Sequence, residues 1–295
     1  MSLVQAEMSN SATPKLKEIN GINLEYLEAG SGEPVLFVHG AIGDYRTWSA
    51  YQEPVAAKHH YIAYTQRYFG QQDWTDKGEH FKINQFAADL AAFIQALDVG
   101  PVNLVSWSYG GMMSAKVAID HPELVKSMVF FEPAGGTGNA VFEPGDEEKV
   151  KPARDAFYGT FGGVATALKA GDAEQAARKL TEAVFELPEG SFETQIAPEF
   201  QTIILTNART VPLQMTPAAE DDFQFSCANL ANIKAPVLVV KGEKTNAYWT
   251  QISEKAASCI PDAKLEILSG TNHVGPAAKH EDFAQMILTF IDAQP

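Results

Sequence analysis

The residues with the clearest chemical meaning stand together at Val105-Ser106-Trp107-Ser108-Tyr109-Gly110-Gly111. A short apolar run feeds directly into a small-residue helical segment through Ser-x-Ser-x-Gly-Gly. This is the nucleophile-elbow pattern, Gly-x-Ser-x-Gly, with Ser106 at the first glycine position. Such a turn strains the backbone at the nucleophile, so the residues two before and two after it must be small. Ser106 and Gly110 meet that condition, and Gly111 allows the helix to pack closely on the sheet. The turn lifts the Ser108 Oγ to a helix N-terminus, where the backbone N–H of Tyr109 can help hold an oxyanion. The chemistry implied is attack by Ser108 on a carbonyl, which calls for a base and an acid from elsewhere in the chain.

Holding such a turn requires a sheet, and the chain supplies strand-like and helix-like segments in alternation. Leu16 to Leu27 alternates around Asn20-Gly21 and predicts an antiparallel hairpin at one sheet edge. Short continuous apolar runs, the mark of strands buried on both faces, occur at 34–38, 61–64, 102–105, 128–131, 237–240 and 265–268. Helical spacing appears at Phe86, Leu90, Phe93, Ile94 and Leu97, at 110–120, and at Phe283, Met286, Ile287 and Phe290. Residues 134–226 differ. They open on a flexible lead-in, Gly135-Gly136-Thr137-Gly138, and continue in charge-rich helical stretches such as 173–186. The one β-type run among them is Thr202-Ile203-Ile204-Leu205. The expected organisation is a flexible segment at 1–14, a core of 15–133 and 227–295, and a mainly helical cap inserted at 134–226.

The elbow, together with Phe37-Val38-His39-Gly40-Ala41, a buried strand ending in His-Gly, resembles the α/β-hydrolase family. The resemblance covers nearly the whole chain outside the insertion. It implies an α/β fold with a mostly parallel central sheet flanked by helices. It also implies that the loop after the 34–38 strand supplies the second oxyanion donor, by position Ala41. The base would be His273, in Gly270-Thr271-Asn272-His273-Val274-Gly275, between the last strand and the final helix. The third member departs from the family pattern. After the 237–240 strand the family carries Gly-x-x-Asp, but here the segment is Gly242-Glu243-Lys244-Thr245, and Thr245 cannot carry a charge. Some members, certain haloalkane dehalogenases among them, place the acid after the strand that follows the nucleophile strand, where this chain has Glu132. A carboxylate directly after four apolar strand residues is costly unless paired, and an imidazolium would pair it. Glu132 is therefore the expected acid, and Glu243, offset by two residues, is the alternative.

The other polar residues read as structural. His39 and His121 are loop residues, and His59, His60, His80 and His280 are expected in solvent. Arg67 anchors its loop by an ion pair or reaches a substrate carboxylate, and Asp89 is a solvated or capping acid. Trp107, Phe142, Phe157, Tyr158, Phe161, Phe223 and Phe225 are candidates to line a substrate pocket. Cys227 and Cys259 show neither a disulfide framework nor metal-ligand spacing and are expected as free thiols.

The balance of charge narrows the partners. With 22 basic against 37 acidic residues, a net charge of −15, the chain is a poor match for nucleic acid or an anionic membrane. No apolar stretch reaches the roughly 18 residues that span a bilayer, and the N-terminus lacks a basic region followed by an apolar run. The expectation is a cytoplasmic protein acting on a small molecule without metal or organic cofactor, with a homodimer as the candidate assembly. The reaction expected is hydrolysis of a carboxylic ester or lactone through an acyl-enzyme on Ser108. The same triad serves carbon–carbon bond hydrolases and cofactor-free perhydrolases of the haloperoxidase type. A receptor that binds without turnover is the alternative of another class.

Overall fold

The computed structural model describes residues 13–133, 141–216 and 222–294. Most of the leader expected at 1–14 and the lead-in at 135–138 lie outside the described residues. Asn20 and Gly21 both take positive φ, 48° and 77°, as a tight hairpin turn demands. They join β1 (Lys15–Ile19) to β2 (Ile22–Gly30), with Ile19 opposite Ile22. The apolar runs become β3 (Pro34–Val38), β4 (His60–Tyr64), β5 (Val102–Trp107), β6 (Val125–Phe131), β7 (Val237–Gly242) and β8 (Ala263–Leu268). The sheet order is β1-β2-β4-β3-β5-β6-β7-β8. β2 runs antiparallel to its neighbours, and β4 to β8 are mutually parallel. Register levels the strand ends: Val38 faces Ser106, Trp107 faces Phe131, and Phe131 faces Val240. The loops after β3, β5, β6, β7 and β8 therefore emerge along one edge, where α/β sheets build their sites.

Helices α1 (Ile83–Leu97) and α2 (Gly110–Asp120) follow β4 and β5. Between β6 and β7 the described residues hold α3 (Glu147–Gly159), α4 (Gly162–Lys169), α5 (Ala173–Val184), α6 (Pro198–Thr206) and α7 (Val211–Gln214). The 202–205 run, expected as β-type, lies inside α6. Pro198 sits in its first turn, and Thr202 Oγ1 donates to the Pro198 carbonyl at 2.9 Å, so local geometry overrides the β-branched composition. Helices α8 (Ala247–Cys259) and α9 (His280–Asp292) complete the chain. Alternate strand residues feed opposite cores: Leu36 and Val38 pack with Phe86 and Phe93, Val35 and Phe37 with Phe283 and Phe290. No helix among the described residues is long and apolar enough to cross a membrane.

Several polar residues are placed otherwise than expected. Asp89 is not solvated. It is 2% exposed and takes Arg67 in a two-pronged contact, Nε to Oδ2 at 2.6 Å and Nη2 to Oδ1 at 3.0 Å. Arg67 thereby anchors its loop against α1. His59 is buried and bonded to Asp292 at 3.0 Å, and half-buried His60 bonds Glu28 at 2.9 Å, so neither is a solvated side chain.

Cys227 and Cys259 are disulfide-bonded, not free thiols. They are 32 positions apart, too far for spacing to reveal the pairing. The fold brings them together because the single helical turn Cys227–Leu230, where the chain returns to the sheet, lies beside the C-terminal end of α8. Such a bond is unusual in the reducing cytoplasm expected from the sequence. By loop-closure entropy a bridge of this span is worth about 3–4 kcal/mol. Urea unfolding with and without reductant should differ by about that amount, and Cys259→Ser should match the reduced protein. An unchanged midpoint would show that the bond does not form in solution.

Candidate active site

Ser108 follows β5 with φ of +52°, a left-handed conformation unusual for a residue bearing a side chain. The sheet holds it there: its N–H donates to the Phe131 carbonyl at 3.0 Å, one step past the last paired residue. The small neighbours are required. A Cβ on Gly110 would come within 2.6 Å of the His39 carbonyl oxygen, and one on Gly111 within 2.7 Å of the Pro133 side chain. Ser106 is fully buried, with its Oγ 2.6 Å from Ser114 Oγ on α2.

Glu132 follows β6, also with positive φ, +43°. Its carboxylate is fully buried and meets three donors. The Gly242 N–H reaches Oε1 at 2.8 Å, the Thr245 hydroxyl reaches Oε2 at 3.1 Å, and His273 Nδ1 lies 2.6 Å from Oε2. That carboxylate can only accept, so Nδ1 carries the proton and Nε2 is the acceptor of the neutral ring. The imidazole is 1% exposed and stacks on Trp249 of α8, with centroids 4.2 Å and planes 16° apart. Trp107 Nε1 donates to the His273 carbonyl at 3.1 Å. Glu243 points elsewhere and accepts the Gly270 N–H at 2.7 Å near the surface. Thr245, at the position where the family carries its Asp, supports the other carboxylate instead. Trp249 went unnoticed in the sequence, because nothing about an aromatic on an amphipathic helix marks it as a partner for the histidine.

The loop after β3 is held from both sides. His39 is fully buried, and its Nε2 accepts the Gln66 backbone N–H at 3.1 Å. Its Nδ1–H therefore donates to the Gly40 carbonyl at 2.8 Å. Burial lowers the His39 pKa to about 4, which keeps the ring neutral. The Ala41 carbonyl accepts Gln214 Nε2 from α7. Asn207, after α6, donates to Asp44 Oδ2 at 2.8 Å and accepts the Gly70 N–H at 2.6 Å.

A cavity of about 510 Å³ opens over these groups and is lined by Ala41, Ser108, Tyr109 and His273. The helices between β6 and β7 contribute apolar side chains to its wall, Leu180, Phe185, Phe200 and Ile204 among them. Trp107, Phe157, Tyr158 and Phe161 line it too. Phe142, Phe223 and Phe225 are not among its lining residues, because they pack into the hydrophobic core on the α1 side of the sheet. Among the described lining residues only Glu79, Lys82 and Asp222 carry acidic or basic side chains besides His273. The Asp222 carboxylate is taken up by the first N–H groups of α1, Ile83 and Asn84, both at 2.9 Å.

The chain belongs to the α/β-hydrolase fold family, whose model matches residues 33–276. A Mycobacterium tuberculosis protein named as a non-heme bromoperoxidase, BpoC, is 36% identical over 116 residues, 39% of this chain and 43% of that protein. That match thus spans less than half of the relative. The 2-(acetamidomethylene)succinate hydrolase of Mesorhizobium japonicum is 24% identical over 94% of each chain. Among solved structures, an alpha/beta hydrolase from Sphaerobacter thermophilus superposes with a TM-score of 0.71 at 22% identity. The superposition covers 94% of this chain and all of that one.

His39 makes a prediction about stability. Its pKa in the folded protein is lowered from the ordinary 6.5 to about 4. The unfolded chain therefore takes up the proton first, and the stabilisation present above pH 6.5 is lost as pH falls toward 4. The full difference is worth about 3 kcal/mol. The unfolding free energy should fall less steeply over that interval in His39→Asn than in the wild type. Equal slopes would show that His39 does not contribute.

Proposed function

We propose that this protein is a serine hydrolase that cleaves a carboxylic ester or lactone of a small to medium, largely apolar substrate through an acyl-enzyme on Ser108. The observation that carries the reading is the 2.6 Å contact between His273 Nδ1 and Glu132 Oε2, beside the cavity that Ser108 lines. With Nδ1–H held by the carboxylate, Nε2 is free to take the Ser108 proton. Ser108 Oγ attacks the carbonyl carbon, and the N–H groups of Ala41 and Tyr109 hold the oxyanion. Collapse of the adduct expels the alkoxide, which takes the proton from His273. Water then attacks the acyl-enzyme with His273 as base, releasing the acid and restoring Ser108. Glu132 keeps the imidazole in the required tautomer and stabilises the imidazolium.

Residues 134–226 act as the cap over a core of 15–133 and 227–295. The scarcity of charge among the described lining residues favours a neutral acyl group, and the volume suits a small to medium ligand. The name of the bromoperoxidase relative favours a second reading. Hydrogen peroxide in place of water would release a peracid from the same acyl-enzyme, and the peracid would oxidise bromide.

The test is a panel of chromogenic esters and lactones against wild type and Ser108→Ala, with an active-site-directed phosphonate as label. Hydrolysis should be lost in the variant, and the label should map to Ser108. Folded protein that neither hydrolyses nor takes the label would favour a receptor that binds without turnover. Peroxide-dependent bromination that outruns hydrolysis would favour the second reading.

The acid has its own test. Glu132→Gln should lower kcat by roughly a thousandfold or more, as loss of the orienting carboxylate does in serine hydrolases. Glu243→Gln should leave kcat within about twofold, because its carboxylate serves a surface amide. The reverse result would move the acid to Glu243.

A further inference from the structure

β8 is one edge of the sheet, and among the described residues no strand pairs with its outer side. Leu265 and Ile267 on this strand are 39% and 54% exposed. The inner ladder shows which groups face out. The Asp262 and Leu268 carbonyls accept the N–H groups of Val237 and Glu243. A parallel strand alternates, so residues 264 and 266 also turn their backbone groups toward β7. Ala263, Leu265 and Ile267 therefore present their N–H and C=O groups outward.

We propose that β8 pairs antiparallel with β8 of a second copy of this chain, on a two-fold axis through Leu265. In that register Leu265 faces its own copy, and Ala263 faces the partner's Ile267. All three outward residues then exchange backbone hydrogen bonds, and their side chains form one apolar stripe. The intervening positions put Lys264 against the partner's Glu266, twice across the axis. These fall on the non-hydrogen-bonded pairs, where side chains approach most closely. Centring on Lys264 or Glu266 would oppose like charges. Centring on Ala263 or Ile267 would leave half of the strand unpaired.

The opposite edge shows what a guarded strand looks like. On β1 the exposed Leu16 lies between Lys15 and Lys17. A two-fold axis through Leu16 sets lysine against lysine, and axes through Lys15, Lys17 or Glu18 set each charge against itself. β1 thus repels its own copy, as protected edges do, whereas β8 is complementary to its copy.

Sedimentation velocity across a concentration series tests this. The wild type should show a monomer–dimer equilibrium. Lys264→Glu and Glu266→Lys should each raise the dimer Kd by about tenfold or more, because like charges then meet on both sides of the axis. The double swap K264E/E266K should restore association. Melting curves check that each variant is folded, and the double swap stays decisive if a single one is not. A monomeric wild type at every concentration would overturn the proposal. So would a dimer whose Kd ignores the single swaps, since another face would then hold it.

Discussion

The structure turns on one buried carboxylate. Glu132 is fully enclosed at the end of β6, where a bare charge would cost several kcal/mol. Three donors offset that cost, and they come from loops that leave two other strands. Gly242 ends β7, Thr245 lies three residues beyond it, and His273 follows β8. The carboxylate therefore ties β6, β7 and β8 at a single point. If it were removed, the Gly242 amide, the Thr245 hydroxyl and the His273 Nδ1–H would all lose this acceptor. The stacking of His273 on Trp249 carries the same constraint into α8, whose far end is held by the disulfide.

A second set of contacts fixes the loop after β3. In a trans peptide the C=O and the following N–H point opposite ways. The bond from His39 Nδ1 to the Gly40 carbonyl therefore sets the direction of the Ala41 N–H, the proposed oxyanion donor. Gln214 holds the next carbonyl from α7, and Asn207 grips Asp44 in the same loop. Both partners belong to the insertion, so its seating and the shape of the proposed oxyanion site are one arrangement. Donors fixed before substrate arrives need no reorganisation during the reaction.

What the sequence made legible follows from locality. The hairpin at Asn20-Gly21, the buried strands and the elbow at Ser108 are each written in fewer than ten neighbouring residues, and all were readable. The departure at Thr245 was readable too, but not the hydrogen bond that gives Thr245 its purpose. That bond spans 113 positions. The same limit hid the Cys227–Cys259 bridge and the reach of Gln214 across 173 positions to Ala41. Asp89 misled because an acid on an amphipathic helix is usually solvated, while its partner Arg67 lies 22 positions earlier, on the loop between β4 and that helix. The 202–205 run misled because β-branched residues suit a strand until Pro198 starts a helix ahead of them.

The placement of the Glu132 carboxylate follows from the way the strand ends climb across the sheet. The residue just after β5 donates its N–H to β6, Ser108 to Phe131. The residue just after β6 donates to β7, Glu132 to Val240. The residue just after β7 donates to β8, Glu243 to Leu268. Ser108, Glu132 and Glu243 are thus equivalent stations, each one strand spacing, about 4.8 Å, beyond the one before. His273 descends from the loop after β8 and comes back over β6, beneath Trp249. Its Nδ1 meets the carboxylate of the nearer station. Glu243, one strand further out, lies beside the start of that same loop and bonds the Gly270 amide there. Two glutamates in matching backbone positions thereby take different partners, the His273 ring for Glu132 and the Gly270 amide for Glu243.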